Sequence, residues 1–408
     1  MFEISLKALV PLLLGLLFTT GWAQPSFAGG SMPQAATYPF GSHLLPYVAG
    51  IKPSEASQAS QDALIRTQYD RWKSSGVQAR CGGFVVVHNG EYATVSEGAG
   101  YGMLLSVLMA GHDRQARNLF DGLFHVVRSH PAQSTGHPAL MDWRVKSDCS
   151  GGGEGWNAMD GDLDIAMALL MADRQWGSSG MVNYKAEALR TIAALKTYNM
   201  SSDGYTKGLP NGNNTRTSDN MITHFKAFRR ATGDPFWDRA SDKGFNLLDL
   251  MQTRFSRETG LIPDFIVEAH TKSPTPSPGY VADGNPNEGY YYWNACRLPW
   301  RLASDYVTSG DARSKVITTR MIEFFYRSSK GDPSLITAGY KLDGTPLSNY
   351  AAPAFIGPVT AGALVDIRFQ RFLNKLWSYS SSNPARGYYE TELQLLSLIV
   401  ASGNWWNP

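Results

Sequence analysis

One stretch of the chain, residues 160–177, reads DGDLDIAMALLMADRQWG. Its first acid, Asp160, stands beside a glycine, and apolar residues then recur every three or four positions, as in an amphipathic helix. An earlier stretch at 96–103, SEGAGYGM, repeats this arrangement with Glu97 among small residues before an apolar run. Each stretch is therefore expected to present a carboxylate at the N-terminal end of a helix.

Helical periodicity recurs along most of the chain. We expect helices at 53–73, 102–110, 113–128, 165–176, 184–195, 218–230, 236–254, 295–307, 312–327 and 388–401. Several end in Gly followed by Asp, which is typical of a C-cap followed by the N-cap of the next helix. Strand signals are few, and the clearest is at 83–88. Because no repeat of fixed period occurs, the pattern favours an all-α fold in which helical hairpins close into a toroid over an open superhelical stack.

The N-terminal 30 residues have the features of a secretory signal. Lys7 precedes an apolar stretch at 8–18, and Ala23 or Ala28 suits a signal-peptidase site. The stretch is shorter than the roughly 20 residues of a membrane-spanning helix. We therefore predict a signal peptide at 1–23, with cleavage as late as residue 28 as the alternative, and a protein exported to the periplasm or the medium.

The remaining chain, residues 31–408, is expected to be one catalytic domain, since no shift in composition divides it. We also expect a monomer. The formal net charge is +2, and the Lys and Arg residues are dispersed. This pattern disfavours nucleic acid and a membrane surface as partners. Residues 271–279, TKSPTPSPG, have the composition of a linker. Helical patterns continue on both sides, so a long loop over the barrel mouth is favoured.

Three cysteines permit at most one intramolecular disulfide. Pairing of Cys81 with Cys149 is preferred, because both lie in Gly-rich connections that precede the two acidic stretches. Cys296 would then be a free thiol. The alternative is three small buried residues without a bridge.

Five motifs follow one another along the chain: YPFG at 38–41, SEGAGYGM at 96–103, DGDLDIAMALLMADRQWG at 160–177, RTSD at 216–219 and NACRLPWR at 294–301. Together they resemble glycoside hydrolase family 8, and the likeness extends from about residue 38 to 400. The resemblance implies an (α/α)6 barrel. It also implies inverting, endo-type cleavage of β-1,4-linked glucans, xylans or chitosan, without a cofactor.

The resemblance implies that Glu97 is the general acid and that Asp160 hydrogen-bonds the distorted sugar beside the cleavage point. Gly98, Gly100 and Gly102 are expected to clear backbone bulk so that a polymer can approach. A helix N-terminus lowers a carboxyl pKa, whereas a general acid needs a raised one. Burial or a neighbouring carboxylate must therefore raise the pKa of Glu97 by more than the helix N-terminus lowers it. The alternative is that Glu97 only stabilises its helix.

An inverting mechanism also needs a carboxylate that activates water. One branch of the family supplies it as an Asp directly before the A-x-R-x-P-W-R run, where this chain has Asn294. An amide cannot take the proton. A second branch resembles this chain in having Asn there and takes its base from an inserted upstream loop. The candidates in the loop at 271–289 are Asp283, slightly preferred, and Glu288.

Aromatic and charged side chains near these motifs are candidates for sugar contacts, since aromatic faces stack on the C–H faces of β-sugars. The predicted substrate-binding residues are Trp143, Trp156, Arg216, Ser218, Asp219, Tyr292, Trp293, Asn294, Arg297 and Arg301. Arg297 and Arg301 could instead clamp acids. For any single aromatic residue, packing in the core is the competing interpretation.

Other chemistries fit the sequence less well. The eight histidines lack metal-ligand spacing, so no metal site is predicted, and Ser96-Glu97-Gly98 lacks the G-x-S-x-G elbow of many serine hydrolases. The sequence thus predicts a secreted β-1,4-glucanase of the cellulose or mixed-linkage type that acts on a β-linked polysaccharide. A chitosanase of the same family is the alternative; a polysaccharide lyase and a non-catalytic glycan-binding barrel are more distant ones.

Overall fold

The computed structural model describes residues 35–408 apart from 89, 136, 153–154 and 209–211. The predicted signal peptide lies outside the described residues and stays a prediction. In the described part of the chain, no helix is long and apolar enough to cross a membrane.

Twelve α-helices form the described part of the fold. They are α1 (Gln58–Gly76), α2 (Ser96–Leu108), α3 (Ala116–Ser129), α4 (Met159–Trp176), α5 (Tyr184–Tyr198), α6 (Ile222–Thr232), α7 (Phe236–Phe255), α8 (Leu298–Ser309), α9 (Ala312–Ser328), α10 (Pro353–Gly362), α11 (Gln370–Ser382) and α12 (Tyr388–Ala401). The even-numbered helices pack neighbour to neighbour in a closed ring, with α12 returning to α2. Each odd-numbered helix packs outside an even-numbered one, with α1 against α12. The predicted all-α toroid is therefore confirmed, as an (α/α)6 barrel.

Position in the two rings explains the sequence patterns. Inner helices α2 and α4 are buried along almost their entire length, whereas outer helices such as α3 and α7 bury one face. A helix surrounded by protein is apolar on all sides and shows no one-sided stripe. For this reason α10, with the uniformly apolar sequence PAFIGPVTAG, was not predicted.

Seven short strands lie in the connections between helices. They are β1 (Val77–Arg80), β2 (Gly83–Val86), β3 (Tyr92–Val95), β4 (Arg144–Lys146), β5 (Thr215–Arg216), β6 (Phe265–Val267) and β7 (Thr275–Pro276). They pair antiparallel as β1 with β2, β3 with β4, and β6 with both β5 and β7. Strand β7 belongs to the Pro-rich segment 271–279, so this segment is tied to the sheet through Thr275–Pro276.

The predicted disulfide is confirmed. Cys81 and Cys149 are joined across 68 positions of sequence, and the bridge ties the β1–β2 turn to the connection that follows β4. Cys296 is a buried free thiol. Its Sγ lies 3.2 Å from the carbonyl oxygen of Trp293.

Candidate active site

Two inner helices begin side by side because glycines let their first turns meet. A Cβ at Gly161 of α4 would lie 2.5 Å from the hydroxyl oxygen of Ser96, at the start of α2. A Cβ at Gly100 of α2 would lie 2.9 Å from the Cβ of Asp164 on α4. Both distances are too short for real side chains, so the glycines serve helix packing. The expectation that Gly98, Gly100 and Gly102 clear space for a polymer is wrong, because all three are buried against neighbouring protein.

This packing brings Glu97 and Asp160, each in the first turn of its helix, to one arginine. The Nη1 atom of Arg297 donates to Oε2 of Glu97 and, at 2.7 Å, to Oδ2 of Asp160. The Nη2 atom donates to the hydroxyl of Ser218 at 2.9 Å and to Oδ1 of Asn294 at 2.8 Å. Arg297 is 1% exposed. Its guanidinium therefore holds four side chains from separate parts of the chain, as its fork of fixed donors allows.

The two acids have opposite pKa shifts. Burial raises the pKa of Glu97 to about 7; Arg297 opposes the shift, while the Asp160 charge adds to it. Burial also disfavours the charge on Asp160, but Arg216 and Arg297 outweigh it and hold the pKa below the usual range. The predicted conflict at the helix N-terminus is thus resolved by burial and a neighbouring carboxylate. At neutral pH one carboxyl can donate a proton while its neighbour stays charged.

Arg216 and Asp219 complete one side of the cluster. Arg216 Nη2 lies 2.7 Å from Oδ1 of Asp160, and its Nε donates to Oδ1 of Asp219 at 2.9 Å. The other oxygen of Asp219 is buried without a hydrogen-bond partner among the described residues, and burial raises the Asp219 pKa to about 6. Asp219 is 1% exposed, so it supports Arg216 from inside the barrel.

A carboxylate that the sequence did not indicate fixes Asn294. Oδ2 of Asp264 accepts hydrogen bonds from the backbone N–H of Asn294 at 3.0 Å and from its side-chain Nδ2 at 3.1 Å. Oδ1 accepts from the backbone N–H groups of Tyr292 and Ala295. Asp264 is 2% exposed. Its four hydrogen bonds therefore hold the whole 292–295 turn against Arg297.

The two candidate bases of the 271–289 loop have different environments. Glu288 is buried, and its carboxylate accepts from the hydroxyl of Ser277 at 2.7 Å and from successive backbone N–H groups between Val281 and Gly284. Burial favours the neutral form of Glu288, but these hydrogen bonds outweigh it and lower the pKa to about 2. Glu288 thus shapes the loop from within.

Asp283 lies at the tip of the same loop and is exposed. Its Oδ2 is 3.5 Å from Nδ2 of Asn294. Partial burial, together with the hydrogen bond and charge of Glu288, raises the pKa of Asp283 to about 6. Arg297 and Asn294 connect Glu97 to Asp283: Arg297 contacts both Glu97 and Asn294, and Asn294 contacts Asp283.

The four predicted aromatic platforms differ in exposure. Trp156 is 41% exposed. Trp143 is half-buried, and the Arg144 guanidinium lies over its ring, 4.4 Å from the ring centre. Tyr292 and Trp293 are half-buried, and the Trp293 ring packs edge-on against Phe355. Trp156 therefore offers the most open ring of the four.

Arg301 does not join the cluster. It is 3% exposed, and its two terminal nitrogens donate to both oxygens of Asp164 at 2.7 and 2.5 Å. His224 Nε2 lies 2.8 Å from the same carboxylate. The prediction that Arg301 binds substrate is therefore wrong. Its terminal nitrogens bind Asp164 inside the barrel, and this ion pair ties α8 to α4.

Sequence reasoning also missed Tyr388, the first residue of α12. Its hydroxyl lies 3.5 Å from Oε1 of Glu97, and its ring lies 5.0 Å from that of His88. Only the Gly387-Tyr388-Tyr389 sequence, a glycine before an aromatic pair, could have indicated it. In the described chain, no three His, Cys, Asp or Glu side chains are grouped to hold a metal ion.

The fold and this cluster agree with comparisons to known proteins. Residues 54–403 match the family described as glycosyl hydrolases family 8. The chain belongs to this family and is a glycoside hydrolase, which removes the lyase and the non-catalytic barrel as alternatives.

Three relatives illustrate the similarity. A protein named beta-glucanase from Niallia circulans is 35% identical over 413 residues, which cover 99% of this chain and 98% of the relative. An endoglucanase from Bacillus sp. strain KSM-330 is 36% identical over 89% of this chain and 80% of its own. The apo structure of a beta-1,3-1,4-glucanase from Paenibacillus sp. X4 aligns with a TM-score of 0.85 at 35% identity, covering 91% of this chain and 99% of that structure.

Proposed function

We propose that this glycoside hydrolase is a secreted, inverting endo-β-glucanase that cleaves β-1,4 bonds in cellulose-type or mixed-linkage glucan. The observation that carries the proposal is the pairing of a half-buried Glu97 with a loop-borne Asp283 across Arg297 and Asn294. The names of relatives that match nearly the whole chain, beta-glucanase and endoglucanase, support the substrate class. Family members act by inversion.

In this proposal Glu97 is the general acid. With a pKa of about 7 it carries a proton at mildly acidic pH, and it gives that proton to the oxygen of the departing sugar. Asp160, held ionised by Arg216 and Arg297, accepts hydrogen bonds from hydroxyls of the sugar beside the broken bond. The positive charge that develops on that sugar ring is stabilised by the same carboxylate.

Asp283 is the general base. Its exposed carboxylate takes a proton from the water that attacks the sugar on the face opposite the leaving group. Glu288 is the weaker choice, because its oxygens already accept the hydrogen bonds that shape the loop. We therefore place the chain in the branch of the family with Asn at position 294 and a base supplied by the loop.

Substrate, location and assembly complete the proposal. The charged groups around Arg297 include both signs, whereas cationic chitosan would favour a strongly acidic cleft. The sequence features of residues 1–23 support export. We further propose that the enzyme acts as a monomer, which size-exclusion chromatography with light scattering would test.

The test is a reducing-sugar assay over carboxymethylcellulose, mixed-linkage β-glucan, xylan and chitosan, with wild type and Glu97→Gln. The wild type should release reducing ends fastest from one of the two glucans. Glu97→Gln should lower turnover by about two to four orders of magnitude, the usual contribution of a general acid. Glu55→Gln, at an exposed position before α1, is the matched control. Fastest cleavage of chitosan, or near wild-type turnover in Glu97→Gln, would contradict the proposal.

A further inference from the structure

A second concavity opens between α1, α10 and α11. It has a volume of about 610 Å³ and is lined by Arg71 of α1, Ile356 of α10, Tyr379 of α11 and the connection 383–386. Ligand pockets commonly measure about 300–1,000 Å³. None of its lining residues belongs to the cluster around Arg297, so this concavity is separate from the catalytic groups.

Its electrostatic character is one-sided. Arg71 and Arg386 are both exposed at the concavity, and no Asp or Glu is among the residues that line it. Neither guanidinium forms an ion pair or a hydrogen bond with another described residue. This differs from Arg297 and Arg301, which each form ion pairs with carboxylates. Two unpaired guanidinium groups over one hollow favour an anion, and a carboxylate matches the guanidinium fork.

The remainder of the wall suits a sugar ring. Tyr379 and the apolar residues Pro353 and Ile356 offer surface for C–H faces, and Ser382 offers a hydroxyl. The wall is also preorganised. Gln394 of α12 donates to the carbonyl of residue 383 at 3.0 Å and accepts from the N–H of residue 385 at 2.9 Å. A loop held in this way loses little further freedom when a ligand binds.

We propose that this concavity is an accessory binding site for a carboxylate-bearing saccharide, such as a chain with uronic acid substituents. The carboxylate pairs with Arg71 and Arg386, and the sugar ring lies against Tyr379. The proposal is independent of which residues perform hydrolysis, because neither arginine is part of the catalytic cluster.

Isothermal titration of the wild-type protein with aldobiouronic acid, a glucuronic acid joined to xylose, tests the site. Cellobiose serves as the neutral saccharide and sodium acetate as the bare carboxylate. The double variant Arg71→Gln/Arg386→Gln should bind aldobiouronic acid at least tenfold more weakly, while the matched control Arg254→Gln/Arg371→Gln should bind like wild type. Hydrolysis of neutral mixed-linkage glucan should be unchanged in both.

Three results would overturn the proposal. Unchanged affinity in Arg71→Gln/Arg386→Gln would place the ligand elsewhere. Equal affinity for cellobiose would show that charge has no part, and equal affinity for acetate would show that the sugar ring has none. Added NaCl should also weaken binding of aldobiouronic acid, since an exposed ion pair is screened by salt.

Discussion

Replacing Asp283 by Asn removes the proposed base without disturbing the loop that carries it. The loop is shaped by Glu288, which accepts the N–H of residue 283 at 2.8 Å. Asp283 itself accepts one local hydrogen bond, from the N–H of Asn285 at 3.2 Å, and an Asn side-chain oxygen can accept the same bond. The substitution therefore changes the chemistry of the side chain and preserves its position.

The expected loss of activity in Asp283→Asn follows from the role of Asp283 as the general base. A positioned general base contributes about 10²- to 10⁴-fold to rate, which corresponds to about 3 to 5 kcal/mol of transition-state stabilisation. Because Asp283 is exposed, the stability of the fold should not change measurably. The Michaelis constant should change little, since the carboxylate contacts the attacking water rather than the sugar.

Initial rates on mixed-linkage glucan measure this loss, with circular dichroism as the check on folding. Asp343→Asn is the matched control, because Asp343 is also exposed and also accepts the N–H of the residue two positions later, at 2.8 Å. Glu288→Gln should lower activity less than Asp283→Asn and should loosen the loop to proteolysis. If Asp283→Asn retains the activity of Asp343→Asn, the assignment of the base is wrong, and Asp219 is the next acid to test.

Three further perturbations test the electrostatics and the covalent framework. The pH profile of kcat/KM should be bell-shaped with a maximum at about pH 6.5, because Asp283 must be ionised above its pKa of about 6 and Glu97 protonated below its pKa of about 7; a rate that stays flat from pH 5 to 9 would count against both roles. Glu392 on α12 is 0% exposed, has no hydrogen-bond partner among the described residues, and has a pKa raised by burial and by the charge of Glu97. Its native form therefore holds a proton that the unfolded form releases, and stability falls by about 1.4 kcal/mol per pH unit as pH rises from the unfolded towards the folded pKa. Glu392→Gln should thus raise the urea midpoint more at pH 7 than at pH 4.5, and an equal change at both pH values would contradict this. Removing the Cys81–Cys149 bridge, which closes 68 positions of chain, should lower the free energy of unfolding by about 2–4 kcal/mol; an unchanged urea midpoint in the double Ala variant would refute that.

The sequence predicted best those helices that bury only one face. Outer helices such as α7, expected at 236–254 and observed at Phe236–Phe255, carry an apolar stripe that periodicity detects. Inner helices are surrounded by protein, so their ends are poorly marked. Helix α2 begins at Ser96 instead of residue 102, and α10 has prolines and no polar face. The outer helix α11 at Gln370–Ser382 was also missed, although its sequence is amphipathic.

For the site, the sequence indicated residue types but not partners. The two acidic motifs located Glu97 and Asp160, and Asn294 directed attention to the loop with Asp283. Pairings across the barrel were not accessible, since Arg301 meets Asp164 from 137 positions away. Asp264 lies in no motif, and its function is visible only through the turn that it holds.

Proton NMR during the first minutes of hydrolysis tests the central claim that this glycoside hydrolase acts by inversion between two separated carboxyl groups. With a β-linked glucan oligosaccharide as substrate, the newly formed reducing end should appear first as the α-anomer and then equilibrate. The wild-type enzyme at about pH 6.5, midway between the two pKa values, is the sample of choice. A β-anomer appearing first would mean retention. It would require a carboxylate close enough to attack the sugar directly, which contradicts the roles proposed for Glu97 and Asp283.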